Sequence, residues 1–209
     1  MKVTLVHGKY FNSWEAQGLG FIAAYLKREI PGIEISFFQG CFDEDEKIVA
    51  EGAGSDYVMF SCTSPTFNHS LSIARAVKTR NPQVRTVVGG YHASAVPGRC
   101  AVEGIDHVVV GEGEQAVKDI IQERETARIV IGRPMNFYEL EWPDRHLIQN
   151  TRNIDVALRD TGKRITSFQS HRGCPHRCRF CLDGCHKVLY PNPTPVRKRD
   201  VYDLLDEVA

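Results

Sequence analysis

Four cysteines fall within twelve residues of this 209-residue chain: Cys174, Cys178, Cys181 and Cys185. Thiolates are soft ligands, suited to zinc and to iron–sulfur clusters. The other three cysteines, Cys41, Cys62 and Cys100, are scattered, and a total of seven is odd for a disulfide framework. Nothing marks the chain as secreted, so clustered thiols point to a metal site. The core of the cluster is SHRGCPHRCRFC, residues 170–181, with the spacing C-x3-C-x2-C. Three thiolates on one short loop can ligate three irons of a cubane cluster and leave the fourth iron open. With Cys185 the same loop offers four thiolates, which would suit a structural zinc ion, and His171, His176 or His186 could substitute for one of them. Structural zinc usually takes two close cysteine pairs separated by a longer loop, and four thiols in so short a run close a tetrahedral shell with difficulty.

The loop is also locally basic. Residues 163–199 hold nine Lys/Arg and one acidic residue, Asp183. Arg172, Arg177 and Arg179 stand among the cysteines, where they offset thiolate charge or attract an anionic ligand. The whole chain is balanced, with 26 basic and 26 acidic residues, so no overall field draws it to nucleic acid or a membrane surface. The longest apolar run, Phe21 to Leu26, has six residues, far short of the roughly 20 that a membrane helix needs. The start, MKVTLVHGKY, has no apolar stretch of signal-peptide length. The chain therefore reads as cytoplasmic, without membrane or nucleic-acid partners. At 42% hydrophobic and 25% charged it is an ordinary globular composition, long enough for one domain and part or all of a second.

The elements that must position the loop lie upstream. Residues 2–7, 33–38, 56–61, 84–88 and 107–110 read as strands, with 128–131 as a sixth, edge strand. Between them, 14–29, 43–50, 67–80 and 112–124 read as helices. Ser13 is a possible N-cap of the first helix, and Asp43 with Glu46 resembles a capping box on the second. Such alternation predicts an α/β fold with a doubly wound, mainly parallel sheet, in which ligands bind beyond the carboxyl ends of the strands. Loops rich in Gly, Ser and Thr follow the strands, at 7–13, 62–66, 89–94 and 111–113. Residues 132–153 show no clear period and contain Pro134 and Pro143, and 132–163 read as a linker. Residues 164–169 read as a strand leading into the cysteine loop, and Asp200 caps a helix over 201–208.

The cysteine motif resembles the signature of the radical S-adenosylmethionine (SAM) superfamily. The resemblance implies that Cys174, Cys178 and Cys181 ligate a [4Fe-4S] cluster whose open iron chelates SAM, and that Phe180 lies against the adenine. Upstream, GLGFIAAYLK (18–27), VVGGYHAS (87–94) and HVVVGEGE (107–114) resemble the cobalamin-binding domain of the B12-dependent branch. ELEWPDRHLI (139–148) and PVRKRDVYDLLDEV (195–208) are similar to the same branch. The implied organisation is a Rossmann-like, flavodoxin-like cobalamin-binding domain over 1–131, a linker over 132–163, and over 164–209 the first βα segment of an incomplete radical SAM barrel. The implied cobalamin contacts are Thr63, Ser64, Gly89, Gly90, His92, Gly111, Glu112, Gly113 and Glu114, with Ser94 offering a further hydroxyl. His92 serves equally well as a loop histidine satisfying nearby backbone.

Two departures bear on function. Older cobalamin domains supply a lower axial histidine from Asp-x-His-x-x-Gly after the first strand, whereas this loop reads His7-Gly8-Lys9-Tyr10-Phe11-Asn12-Ser13. Cobalt is therefore expected without a histidine ligand, and His7 is expected to be structural. A radical SAM barrel also runs far beyond its cysteine loop, whereas this chain stops one helix after it. The expectation is a fragment or a natural short form, unable to turn over SAM efficiently alone. The implied activity is radical SAM chemistry, methyl transfer to an unactivated carbon above all, on a small molecule or peptide. A flavodoxin or ferredoxin would be the reductant, and the catalytic residues are unknown. The alternatives are a corrinoid-carrying or sensing module with a vestigial cluster loop, and a zinc-stabilised α/β binding protein.

Overall fold

The structure, a computed structural model, describes residues 1–10, 15–176, 178–182 and 196–209. Six parallel strands form one sheet in the order β2-β1-β3-β4-β5-β6. They are β1 (Lys2–His7), β2 (Glu34–Gln39), β3 (Tyr57–Ser61), β4 (Arg85–Gly89), β5 (His107–Val110) and β6 (Ile129–Ile131). The chain order reverses between β1 and β3, which places the topological switch point, and hence the crevice, at their carboxyl ends.

Strand alternation builds a separate core on each face of the sheet. Val3 and Leu5 of β1, Tyr57 and Met59 of β3, Val87 and Val109 point to one face. There they meet Leu19 and Leu26 of α1 (Gln17–Glu29) and Val117 and Ile120 of α6 (Glu114–Ile121). Val6, Val58, Phe60, Val88 and Val108 point to the other face. Their partners are Ile48 of α2 (Asp45–Ala53) and Ile73 and Val77 of α3 (Phe67–Arg80). Two short helices, α4 (Tyr91–Ala95) and α5 (Pro97–Cys100), complete that layer, and bury Ala93 and Cys100.

Several expectations are corrected. The second helix starts at Asp45 and has no side-chain cap; Asp43 instead accepts from the Gln39 amide at 2.8 Å and pairs with Arg152 at 3.1 Å. The fourth helix starts at Glu114 rather than Glu112, because residues 111–113 turn the chain back from β5. Ser13 lies outside the described residues. The stretch 132–163 carries a helix, α7 (Asn150–Thr161), and packs closely on the domain. Met135 and Ile148 are fully buried, and the Asp144 amide donates to the Gly20 carbonyl at 3.1 Å. The expected strand at 164–169 is absent: residues 164–170 form no strand. Only β7 (His171–Arg172) pairs, antiparallel, with β8 (Arg197–Lys198), ahead of the last helix, α8 (Val201–Val208). Asp200 caps α8 as expected, accepting from the amides of Tyr202 at 2.9 Å and Asp203 at 3.2 Å.

Candidate functional site

The crevice is built by the segments that leave β1, β3, β4 and β5. Beyond β3, Thr63 opens a 3-10 turn, Ser64–Thr66; its amide donates to Thr66 Oγ1 at 2.9 Å. Beyond β4, Gly90 has φ of +90°, and a Cβ there would stand 2.8 Å from the Cys62 carbonyl oxygen and 2.9 Å from the Cys62 nitrogen. Only glycine satisfies both constraints, and this lets the β4 loop lie directly against the β3 loop. The His92 amide completes that join, donating to the Cys62 carbonyl at 3.0 Å. His92 Nδ1 is 3.0 Å from Ser64 Oγ, and its ring packs on Phe67 with centroids 4.7 Å apart. Burial, with Arg99 adding to it, holds the His92 pKa below its ordinary value. Beyond β5, the Gly111 amide donates to Ser94 Oγ at 2.9 Å. The structure thus brings Thr63, Ser64, Gly89, Gly90, His92, Ser94 and Gly111 together along one edge of the sheet.

His7 ends β1 between Gln39 and Ser61 in register. Its buried Nδ1 has no hydrogen-bond partner among the described residues, and burial pushes its pKa down from 6.5 to about 4. The unfolded chain therefore takes up this proton first as pH falls. Stability from neutral His7 is full above about pH 6.5 and is lost progressively on acidification towards pH 4. The expected loss between pH 7.5 and 5 is about 2 kcal/mol. Urea midpoints of wild type and His7→Asn across that range check this, and a variant with the same pH slope would contradict it.

Glu112 and Glu114 are placed differently from the other residues of the β5 loop. Their carboxylates meet arginines of the cysteine segment. Arg172 donates from Nη1 to Glu112 at 3.0 Å, from Nη2 to Glu114 at 2.7 Å and from Nε to Gln169 at 3.1 Å. Its guanidinium also lies over Phe21, 5.0 Å from the ring centroid, and 5.7 Å from that of Phe137. Arg197 pairs with both oxygens of Glu112, which also accepts from the Met135 amide at 2.8 Å. Burial alone would push the Glu112 carboxyl up; the hydrogen bond from Arg197 and the charge of Arg172 outweigh it and hold the pKa below the ordinary value. One carboxylate therefore joins the β5 loop, residues 133–139 and both strands of the β7–β8 pair. Spacing gave no sign of these contacts, since the partners stand 58 to 85 residues apart.

A second ionic group holds the segment's flank. Arg145 reaches Glu207 at 2.7 Å and the Ser167 carbonyl at 2.9 Å, and Arg199 pairs with Asp203 and Glu207. The Ser167 amide donates to Glu15 at 2.8 Å.

Cys174 and Cys181 are partly exposed and Cys178 is exposed, with the Cys181 amide donating to the Cys178 carbonyl at 3.2 Å. Among the described residues no three ligand side chains are gathered as a metal shell. Cys185, His186 and Arg177 lie outside the described residues. Phe180 is 94% exposed. The remaining cysteines are of another kind: burial pushes Cys62 up to about 12 and Cys100 up to about 11, so both are neutral thiols.

A model of the B12 binding domain family matches residues 3–121. The chain belongs to the B12-binding domain family. It is 28% identical over 160 residues to 2-(S-pantetheinyl)-carbapenam-3-carboxylate methyltransferase of Streptantibioticus cattleyicolor, covering 66% of this chain and 24% of that protein. It is 26% identical over 174 residues to the cobalamin-dependent radical SAM methyltransferase TokK of Streptomyces tokunonensis, covering 73% and 25%. The curated relatives it matches are thus much longer; the chain spans 24% and 25% of these two. Among solved structures it resembles the radical SAM methyltransferase TsrM of Kitasatospora setae, with cobalamin and a [4Fe-4S] cluster bound. The TM-score is 0.70 at 16% identity, over 99% of this chain and 46% of that one. At that identity the likeness speaks for the fold alone. Within the B12-binding domain the donor groups along this edge are compatible in kind with a corrinoid. The hydroxyls of Thr63 and Ser64 and a loop join that only Gly90 permits line the edge, short polar groups and close backbone of the kind corrin amides would need. No helix among the described residues is long and apolar enough to cross a membrane.

Proposed function

We propose that this chain is the corrinoid-binding part, with the start of the cluster-binding part, of a cobalamin-dependent radical SAM enzyme, most simply a methyltransferase acting on an unactivated carbon. The observation that carries the proposal is the buried junction of Arg172 with Glu112 and Glu114: it fastens the cysteine segment to the loop that edges the corrinoid crevice. When bound, the corrinoid would supply a transferable methyl group, and the cluster with SAM would supply one-electron chemistry.

The chain's own residues divide the work. The loops after β3, β4 and β5 would hold the corrinoid through Thr63, Ser64, Ser94, His92 and the backbone of Gly89, Gly90, Gly111 and Gly113. Cys174, Cys178 and Cys181 would ligate the cluster; their donor chemistry fits iron–sulfur ligation, since thiolates on a partly exposed loop are accessible to it. Phe180, fully available on the surface, would lie against the adenine of SAM. The substrate would be a small molecule or a peptide, and the electron donor a flavodoxin or ferredoxin.

Anaerobic reconstitution with iron and sulfide tests the cluster half of this reading. Wild type and Cys185→Ala should retain both elements, whereas Cys174→Ala, Cys178→Ala and Cys181→Ala should each lose most of the iron. Zinc in place of iron, with equal losses in all four variants, would favour the zinc-stabilised α/β protein instead. An iron-free chain that still takes up corrinoid would leave the carrier module as the function.

A further inference from the structure

The two ligand segments do not meet through the sheet or an apolar core. They meet through arginine ion pairs, and of these arginines Arg172 alone stands in the strand that leads directly into the cysteines, with Arg197 on its partner strand β8 sharing Glu112. Every polar face of Arg172 is committed: Nε to Gln169, Nη1 to Glu112 and Nη2 to Glu114. Its side chain is only 10% exposed, held between Phe21 of α1 and Phe137. Two residues further along the chain stands Cys174. On the other side of the junction Glu112 lies between Gly111, whose amide is bonded to Ser94, and Gly113, which caps α6. Ser94 in turn lies in α4, which Gly90 and His92 seat against Cys62. A contiguous path therefore runs from the β3 and β4 loops, through Ser94, the 111–114 turn and Arg172, to the cysteines.

Resting on the corrinoid reading above, we infer that Arg172 is a positioning residue coupling occupancy of the crevice to the order of the cysteine segment. A corrinoid that immobilises the 89–94 and 111–114 segments also immobilises both carboxylates, and so fixes the side chain that ties the last residues before Cys174 to the crevice edge. By linkage the effect is reciprocal: ordering the cysteine loop favours corrinoid binding. Lysine cannot replace this function, because a single ammonium lacks the planar fork that serves two carboxylates and an amide oxygen at once.

The test is hydrogen exchange of peptides from residues 164–176 in the 209-residue chain, with and without hydroxocobalamin. In wild type the ligand should slow exchange there by about 5-fold or more. Arg172→Lys, which keeps the charge and hence the fold, should bind hydroxocobalamin with affinity reduced no more than the lost coupling, and should lose most of the slowing. Arg172→Gln should lose all of it. Slowing that is undiminished in Arg172→Lys would overturn the inference. So would wild type that binds hydroxocobalamin without any response in 164–176. Wild type that binds no hydroxocobalamin at all would instead remove the corrinoid reading on which the inference stands.

Discussion

Gly132→Ala should destabilise the chain by roughly 3 kcal/mol or more, among the largest effects of any single methyl group here. Gly132 follows β6 and donates from its amide to the Val110 carbonyl at 2.9 Å, which brings its Cα against the chain leaving β5. A Cβ at this position would overlap the Glu112 carbonyl oxygen. Backbone, unlike the end of a flexible side chain, cannot turn aside, so either the β5–β6 register or the 111–114 turn must shift. A shift in that turn moves the Glu112 carboxylate away from Arg172 and Arg197. Urea denaturation should therefore show a markedly lower midpoint, and a variant within about 0.5 kcal/mol of wild type would contradict the placement of Gly132.

Glu112→Ala should cost about 3–5 kcal/mol, the range for removing one partner from a buried ion pair. The loss is not that of an attraction alone. Arg197 and Arg172 are each about 10% exposed at the side chain, and the truncation leaves both guanidiniums short of a counter-charge, with the Met135 amide unpaired as well. Glu112→Gln should cost less, since the amide oxygen still accepts from one arginine. A double variant, Glu112→Ala with Arg197→Met, should recover part of the loss, because the unpaired charge is then removed. Thermal or urea unfolding of wild type, Glu112→Ala, Arg197→Met and the double variant checks the cycle. Strict additivity would place the two residues in separate environments.

The strands and the longer helices were legible because each obeys one period. Phe67–Arg80 and His107–Val110 stand where the pattern places them, and Asp200 caps α8. The parallel pairing of the sheet follows from strand–helix alternation. The helix α7 was hidden for a physical reason. Its buried residues are Asn150 and Asn153, so no apolar stripe marks it. It docks through amides instead: Asn153 and Gln39 exchange hydrogen bonds at 3.2 and 3.3 Å, and Asn150 donates to Thr166 at 2.9 Å. The short helices α4 and α5 are too brief to show a period and exist because Gly90 seats them on the β3 loop. The expected strand before the cysteines failed for the opposite reason. RITSFQ has strand propensity but no neighbouring strand among the described residues, and its backbone binds Glu15 and Arg145 instead. Glu112 and Glu114 read as cofactor contacts because they follow a strand in a glycine-bounded turn. That their partners are arginines on a distant segment is a tertiary fact, which no local pattern carries.

The central claim, that the carboxyl edge of the parallel sheet holds a corrinoid without histidine ligation, is tested most directly by titrating hydroxocobalamin into the folded chain and following its visible spectrum. Saturable binding at one equivalent is expected, with a bound spectrum that is the same in wild type and His7→Ala and binding that is lost in Gly90→Val, where the side chain would collide with Cys62. A folded wild-type chain that leaves the spectrum of free hydroxocobalamin unchanged at saturating concentration would contradict the account.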